Sequence, residues 1–298
     1  MAEPFHYGGQ AVIDGVMIRG KEGMAISVRQ PNGELNTVRQ PLSSIYKGRL
    51  REIPLVRGII ALVETLVLGT RALLHSAQVA AEEEGGEKIP AALLWGTVAV
   101  SLALGVALFF MVPLFTIRYL IDPYIDSALL SVVLEGLIRI GIFIAYLKLI
   151  GLMTDIKRVF AYHGAEHKVV NAYEAGVPLE VESVKNYSTA HARCGTAFIF
   201  IVLIIAIFVF ALVGRPPLWI RILSRIALIP VIAAISYEIM KFGAGHINNK
   251  IVRILLAPGL LLQAITTREP DDSQLETAIS ALNEVIEIDQ TADSGHSA

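Results

Sequence analysis

The sequence has few of the charged residues that a large soluble enzyme carries on its surface. Only 17% of its 298 residues are charged, whereas 54% are hydrophobic, and the mean hydropathy is +0.59. Soluble domains are about a quarter charged and less than half apolar. The composition therefore excludes a large soluble enzyme and predicts a polytopic membrane protein.

Three further absences narrow the class of protein. Cys194 is the single cysteine, so no disulfide can form within the chain. The formal net charge of −2 is too balanced to indicate binding to nucleic acid, and we expect none. The N-terminal segment MAEPFHYGGQ lacks a basic region followed by an apolar core, so the sequence predicts no cleaved signal peptide.

Residues 1–52 have the pattern of a small β-rich domain. The segments 25–30 and 35–38 flank the turn Pro31-Asn32-Gly33-Glu34, where Gly33 suits a positive φ. This arrangement predicts a β-hairpin. Upstream, the stretch from Gly8 to Gly20 predicts a pair of strands bounded by glycines.

The pattern becomes helical from Pro54 to about Ala80. Arg57, Glu64 and Arg71 recur every seven residues on one face, while apolar residues cover much of the rest. Two interpretations stay open, namely a helix lying in the bilayer interface and a helix packed on the β-rich domain. A charged, glycine-containing linker follows at 82–88, so we assign 53–90 to an amphipathic helix and linker.

We assign 91–267 to a bundle of about four transmembrane helices. Spanning a bilayer needs about 20 predominantly apolar residues. Charged residues interrupt the second and fourth spans, and they should face the protein interior or the headgroups. Glu135 and Arg139 lie four residues apart and are expected to pair. The predicted spans are Ala91–Leu120, Ala128–Met153, Thr196–Val213 and Leu218–Met240.

Basic residues in the loops predict the orientation of the bundle. Ten Lys or Arg lie in the first 90 residues, five lie between Thr154 and Gly195, and four lie from Lys241 onward. Both termini and the loop 154–195 are therefore expected in the cytoplasm, which places the protein in the cytoplasmic membrane. The apolar segment 251–265 is short for a span, and it is expected either to be re-entrant or to pack under the bundle.

The acidic tail, 268–298, is expected to carry an amphipathic helix that needs a partner surface. Ser273-Gln274-Leu275-Glu276 resembles a capping box at its start, and the residues from Thr291 onward are expected to be disordered.

The most informative polar run is His163-Gly164-Ala165-Glu166-His167, which is the H-x-x-E-H pattern of some zinc hydrolases. It lies in a predicted helix from Asp155 to Ala175, stopped by Gly176. Two histidines at positions i and i+4 can bind one cation, and Glu166 lies about 60° to the side on the helical wheel. The run predicts metal ligation by His163 and His167, with zinc as the expected divalent metal and Glu166 as the catalytic base.

A hydrolytic zinc site needs three protein ligands and one open position. The third ligand stays open at this point, because several residues are predicted on the same membrane face. We favour His191 and His246 and add Glu174, Cys194 and Arg193 as further members of the site. The structural alternatives are that the histidine pair only hydrogen-bonds, that Cys194 only packs, and that His246 only caps a helix.

Four ordered motifs together resemble the YqhQ-like family of bacterial proteins. The motifs are Gly9-Gln10-Ala11-Val12-Ile13-Asp14-Gly15-Val16-Met17-Ile18-Arg19-Gly20, His163-Gly164-Ala165-Glu166-His167-Lys168, His191-Ala192-Arg193-Cys194-Gly195-Thr196 and Gly245-His246. The resemblance covers nearly the whole chain. It implies an uncharacterised multi-pass membrane protein and a metal-dependent enzyme, without an established activity.

Two functions follow as hypotheses. The first is a metal-dependent hydrolase at the cytoplasmic membrane face. The alternative is a non-enzymatic membrane scaffold or membrane-protein biogenesis factor, with protein partners on the β-rich domain and the C-terminal helix. A transporter is disfavoured, since four spans without an internal repeat suit it poorly unless the chain forms a homo-oligomer.

Overall fold

The structure, a computed structural model, describes residues 7–83, 89–191, 193–246 and 249–295. Within these ranges the chain is mainly helical and carries a four-stranded antiparallel sheet in the order β1-β2-β3-β4. The strands are β1 (Gly8–Val12), β2 (Gly15–Arg19), β3 (Gly23–Arg29) and β4 (Leu35–Pro41). Both predicted strand pairs are confirmed, and Gly33 has a φ of +88° in the turn between β3 and β4.

The helices follow the sheet in the chain. They are α1 (Val56–Glu83), α2 (Ala91–Val106), α3 (Val112–Thr116), α4 (Ala128–Ile150), α5 (Thr154–Glu174), α6 (Val181–Val184), α7 (Gly195–Val213), α8 (Leu218–Ala227), α9 (Ile229–Gly245), α10 (Lys250–Thr266) and α11 (Asp272–Gly295).

Four helical segments of the described ranges are long and apolar enough to cross a membrane, judged by length and composition. They are Val56–Ala81, Ala91–Tyr124, Ala128–Ile150 and Gly195–Val213. The last three correspond to the first three predicted spans. The predicted single span Leu218–Met240 is instead the pair α8 and α9, bent by 45°. Pro230 lies in the first turn of α9, and because proline has no N–H it cannot continue the hydrogen bonding of α8.

The sheet is buried on both faces, because successive side chains of a strand point to opposite sides. Val16 and Ile18 pack with α5 and α11, whereas Met17 and Ile26 pack with α1. The sheet is therefore a layer between helices, and it places β1 directly along α5.

Helix α1 packs on the β-rich domain, as the second interpretation of its pattern expects. Leu68 and Ala72 belong to the apolar cluster of the sheet. Glu64 is 5% exposed and accepts from Arg19 Nε at 2.9 Å, while Arg51 Nη2 lies 2.9 Å from its other oxygen. The helix also contacts α9, and its position in a bilayer interface stays a prediction.

The apolar helices enclose a buried ionic cluster that includes the predicted Glu135–Arg139 pair. Arg139 Nη2 donates to Glu135 Oε1 at 2.6 Å. Arg225 of α8 adds two donors, at 2.8 Å and 2.7 Å from the two oxygens of Glu135. The ring of Phe210 lies against the Arg225 guanidinium, with 4.0 Å between the centroid and Cζ. Three bonds to one carboxylate and an aromatic face make these charges tolerable away from water.

The C-terminal helix α11 has its partner surface within the chain. Leu275 and Leu282 are buried against the sheet and α5. The expected capping box is displaced: Gln274 N donates to Asp271 Oδ1 at 2.9 Å, and Asp271 N donates to Gln274 Oε1 at 3.0 Å. Asp271 and Gln274 have the spacing of a capping box, as Ser273 and Glu276 do. Because the box that forms is the one nearer the N-terminus, the helix begins earlier than the sequence predicts. Residues 291–295 are helical rather than disordered, and 296–298 lie outside the described residues.

Candidate metal centre

Helix α5 presents His163 and His167 side by side, as the sequence predicts. Their ring centroids are 4.4 Å apart. His163 Nδ1 lies 2.9 Å from Thr266 O, and His167 Nδ1 lies 2.6 Å from Thr189 O. A carbonyl oxygen only accepts, so each Nδ1 donates to its carbonyl, and Nε2 is the nitrogen of each ring that is left for a metal. Ligating histidines are generally oriented in this way.

Gly164 allows the chain after α10 to reach the histidines. A Cβ at Gly164 would lie 2.0 Å from Arg268 O, a contact that only a glycine avoids. Arg268 N donates to Phe160 O at 2.9 Å, which fixes this segment on α5. Thr266 O is thereby held beside His163.

Cys194 is the third member of the cluster. Its Sγ lies 3.3 Å from His163 Nε2, and one ligand atom each from His163, His167 and Cys194 lie within 4.8 Å of one another. In a tetrahedral zinc site with Zn–N of about 2.0–2.1 Å and Zn–S of about 2.3 Å, adjacent N and S ligands are about 3.5 Å apart. The distance between Cys194 and His163 suits such a site, and the three residues could hold a metal ion.

Cys194 stands where the loop enters α7. The residue caps the N-terminus of α7, and Thr196 N donates to its Sγ at 3.3 Å. This contact fixes the sulfur beside the histidine pair, and cysteine sulfur is a ligand that zinc prefers.

Glu166 is buried beside this cluster. It is 4% exposed, and its Oε2 lies 3.5 Å from His167 Nε2. Strand β1 covers it, since a Cβ at Gly9 would lie 3.0 Å from Glu166 Cγ. The glycine-rich opening of the chain thus contacts the site, through the backbone of Gly9.

His191, Glu174 and Arg193 form a second polar group next to the first. The His191 ring centroid is 5.7 Å from that of His167, and His191 Nε2 lies 3.6 Å from Glu174 Oε2. Arg193 Nη2 donates to the other oxygen of Glu174. Burial alone would raise the pKa of Glu174, but the hydrogen bond from His191 and the charge of Arg193 outweigh it and lower the pKa to about 2.

His246 lies apart from these groups. It is exposed and stacks on Phe242 with 4.3 Å between ring centroids, and its Nδ1 lies 2.9 Å from Phe242 O. Among the described residues, the structure brings Cys194 rather than His246 to the histidine pair.

Three residues that the sequence analysis missed hold the site together. Gln263 makes a pair of hydrogen bonds with the backbone of His191, at 3.0 Å to its N and 2.9 Å to its O. Lys168 Nζ donates to Lys185 O at 2.6 Å, and Asn171 Nδ2 donates to Ser188 O at 2.9 Å. Gln263 could have been found from the sequence, because it is an amide side chain inside the apolar segment 251–265.

The fold and the cluster define a class: a mainly helical chain with candidate membrane spans, a small antiparallel sheet and a buried His-His-Cys group able to bind a metal. The chain belongs to the family DUF1385, described as a protein of unknown function, which matches residues 53–288. It is also 35% identical over 304 residues to the "Uncharacterized protein YqhQ" of Bacillus subtilis (strain 168), over 96% of this chain and 94% of that protein. The resemblance to the YqhQ-like family is thus confirmed. No solved structure matches the chain.

Proposed function

We propose that the chain is a membrane metalloenzyme of the hydrolase class, with zinc bound by His163, His167 and Cys194. The observation that carries the proposal is the convergence of these three ligand atoms within 4.8 Å. Two nitrogens and one thiolate are ligands that zinc prefers, and a three-ligand set is typical of catalytic zinc.

The second part of the proposal assigns the reaction. A bound zinc supplies a water of lowered pKa and polarises a carbonyl or phosphoryl oxygen. Glu166 is held against β1 with its carboxylate 3.5 Å from His167 Nε2, where it is placed to accept a proton as general base. Arg193, held by Glu174, supplies positive charge for an oxyanion, and His191 lies between Glu174 and His167 beside the centre.

The cytoplasmic orientation belongs to the same proposal. Helices α5 and α7 meet at this centre, and Cys194 directly precedes the apolar α7. With the basic loops in the cytoplasm, a substrate would approach from the cytoplasmic membrane surface.

Metal content tests the first part. The protein is purified in detergent without chelators, and zinc is measured by mass spectrometry; about one zinc per chain is expected for one such centre. His163→Ala and Cys194→Ser should lose it, whereas His246→Ala, the matched control, should keep it. A parent protein without metal, or a Cys194→Ser variant that binds zinc like the parent, would refute the assignment.

Turnover tests the second part separately. Parent, Glu166→Gln and the exposed-site control Glu182→Gln are compared on p-nitrophenyl acetate, bis-p-nitrophenyl phosphate and fluorescent casein. Glu166→Gln should keep its zinc and lose about 10²- to 10⁴-fold in rate, as expected for removal of a general base. Equal rates in parent and His163→Ala on every probe would exclude hydrolysis at this centre.

The scaffold hypothesis stays a prediction without a specific observation in its favour. The apolar face of α11, which was expected to need a partner, is covered by the sheet and α5 of the same chain.

A further inference from the structure

A second polar site lies at the opposite end of α4 and α7 from the metal centre. A cleft of about 360 Å³ opens where the chain passes from Ala91–Tyr124 into α4 and from α7 into α8. We call it the arginine cleft, after Arg118, Arg215 and Arg221, which line it together with Tyr119 and Asp122. None of these residues takes part in the proposed hydrolase.

Positive charge exceeds negative charge in the arginine cleft. Asp122 is the acidic residue of its lining, and two arginines share it: Arg221 Nη1 is 3.0 Å from Oδ2 and Arg215 Nη2 is 3.1 Å from Oδ1. Ser131 Oγ also donates to Asp122. Three guanidinium groups thus line a cleft with one carboxylate, and that carboxylate already accepts from Arg215, Arg221 and Ser131.

Arg221 retains donors that the protein does not satisfy. The residue is 2% exposed, yet its Nε and Nη2 have no hydrogen-bond partner among the described residues. The carboxylate nearest to Nη2 is Glu135, at 3.6 Å, and Glu135 is occupied by Arg139 and Arg225. An unsatisfied buried donor costs free energy, and the cost is larger for a charged group. Arg221 therefore adds uncompensated positive charge to this wall of the cleft, and that charge favours an additional anionic acceptor.

The chemistry of that acceptor follows from the donors. Guanidinium groups bind planar pairs of oxygens, and phosphate and carboxylate are the anions that match. Leu120, Tyr124 and Trp219, which lie within two residues of the cleft lining in sequence, are exposed apolar or aromatic side chains. Aromatic residues next to cations are typical of the depth at which phospholipid headgroups lie.

We propose that the arginine cleft binds a phosphate group, carried by an anionic phospholipid or by a free phosphate. Arg221 supplies positive charge from the buried wall, and the exposed Arg118 donates to the ligand from the rim. The arginine cleft shares no residue with the metal centre.

The test uses the full chain with two probes. Inorganic phosphate is titrated calorimetrically into detergent-purified protein, with chloride at equal ionic strength as reference. In parallel, thermal unfolding is followed in nanodiscs of phosphatidylglycerol and of phosphatidylcholine. Binding of inorganic phosphate would identify the ligand as the free anion. Stabilisation only in the phosphatidylglycerol nanodiscs would identify it as the lipid.

Variants connect either signal to the cleft. Arg118→Gln removes one charge-assisted donor from an exposed position, so it should fold normally and weaken binding about tenfold. Arg221→Gln should abolish binding, and its melting curve shows whether it folds. Arg253→Gln, an exposed arginine of α10, is the matched control. The proposal is overturned if neither probe gives a signal, or if Arg118→Gln and Arg253→Gln weaken it equally.

Discussion

Gly164→Ala tests the way in which the metal centre is assembled. The added Cβ would lie 2.0 Å from Arg268 O, a backbone atom, so the chain after α10 must move away from α5. Overpacking of this kind costs about 1–3 kcal/mol. The hydrogen bonds from Arg268 N to Phe160 O and from His163 Nδ1 to Thr266 O weaken as well, at about 1 kcal/mol each.

A compensating term comes from the helix itself, because alanine is more favourable than glycine in a helix interior by about 1 kcal/mol. The net effect is a loss of about 2–4 kcal/mol in the free energy of unfolding, which combines these costs and this gain. Because Thr266 O orients His163, the zinc affinity should also fall by about 10- to 100-fold.

The assay pairs thermal unfolding in detergent with zinc competition against a chromophoric chelator. Gly141→Ala is the matched control, since a Cβ at Gly141 in α4 meets nothing within 4 Å, and it should melt at or above the parent temperature. If Gly164→Ala melts like the parent and binds zinc with the parent affinity, the role given to this glycine is wrong.

Three further variants test the surrounding contacts by thermal unfolding. The pKa of Glu174 is lowered to about 2 from 4.5, so its contribution to stability is present above pH 4.5 and is lost as the pH falls toward 2. Glu174→Gln should therefore be less stable than the parent at neutral pH. A difference in melting temperature that does not narrow with acid contradicts this. Glu135→Gln leaves Arg225 without its buried counter-charge and should cost about 3–5 kcal/mol, whereas an unchanged melting temperature contradicts this. Gln263→Leu removes both hydrogen bonds to the backbone of His191 and should cost about 2 kcal/mol or more; parent-like stability would contradict it.

Local patterns in the sequence predict the elements well. The two predicted strand pairs and the three apolar segments that begin at Ala91, Ala128 and Gly195 depend on nearest-neighbour periodicity and length. Pro230 is also a local signal for the bend between α8 and α9. The hydropathy pattern alone does not show this bend. The packing of α1 was not predictable in this way, because its hydropathy does not show that Arg19 and Arg51 of the β-rich domain pair with Glu64.

The composition of the metal centre was predictable only in part. The spacing of His163 and His167 places them on one face of α5, and this depends on helix geometry alone. The choice among Cys194, His191 and His246 depends on contacts between segments distant in sequence. Two hydrogen bonds between Gln263 and the backbone of His191 hold this residue in place, and no local pattern in the chain encodes that contact.

The way the cluster of His163, His167 and Cys194 is assembled implies that binding of the proposed metal would be coupled to folding. The ligands come from α5 and from the start of α7, while the carbonyls that orient them belong to Thr189 and Thr266. An ion that binds only when these segments meet stabilises their association, by about 2.7 kcal/mol when the free metal is 100 times its dissociation constant. Because α5 also packs on the sheet and α11, the bound ion would fix the position of the β-rich domain relative to α7 and α10. Glu166 lies between β1 and His167 at this junction, so the orientation of the proposed base depends on the same association.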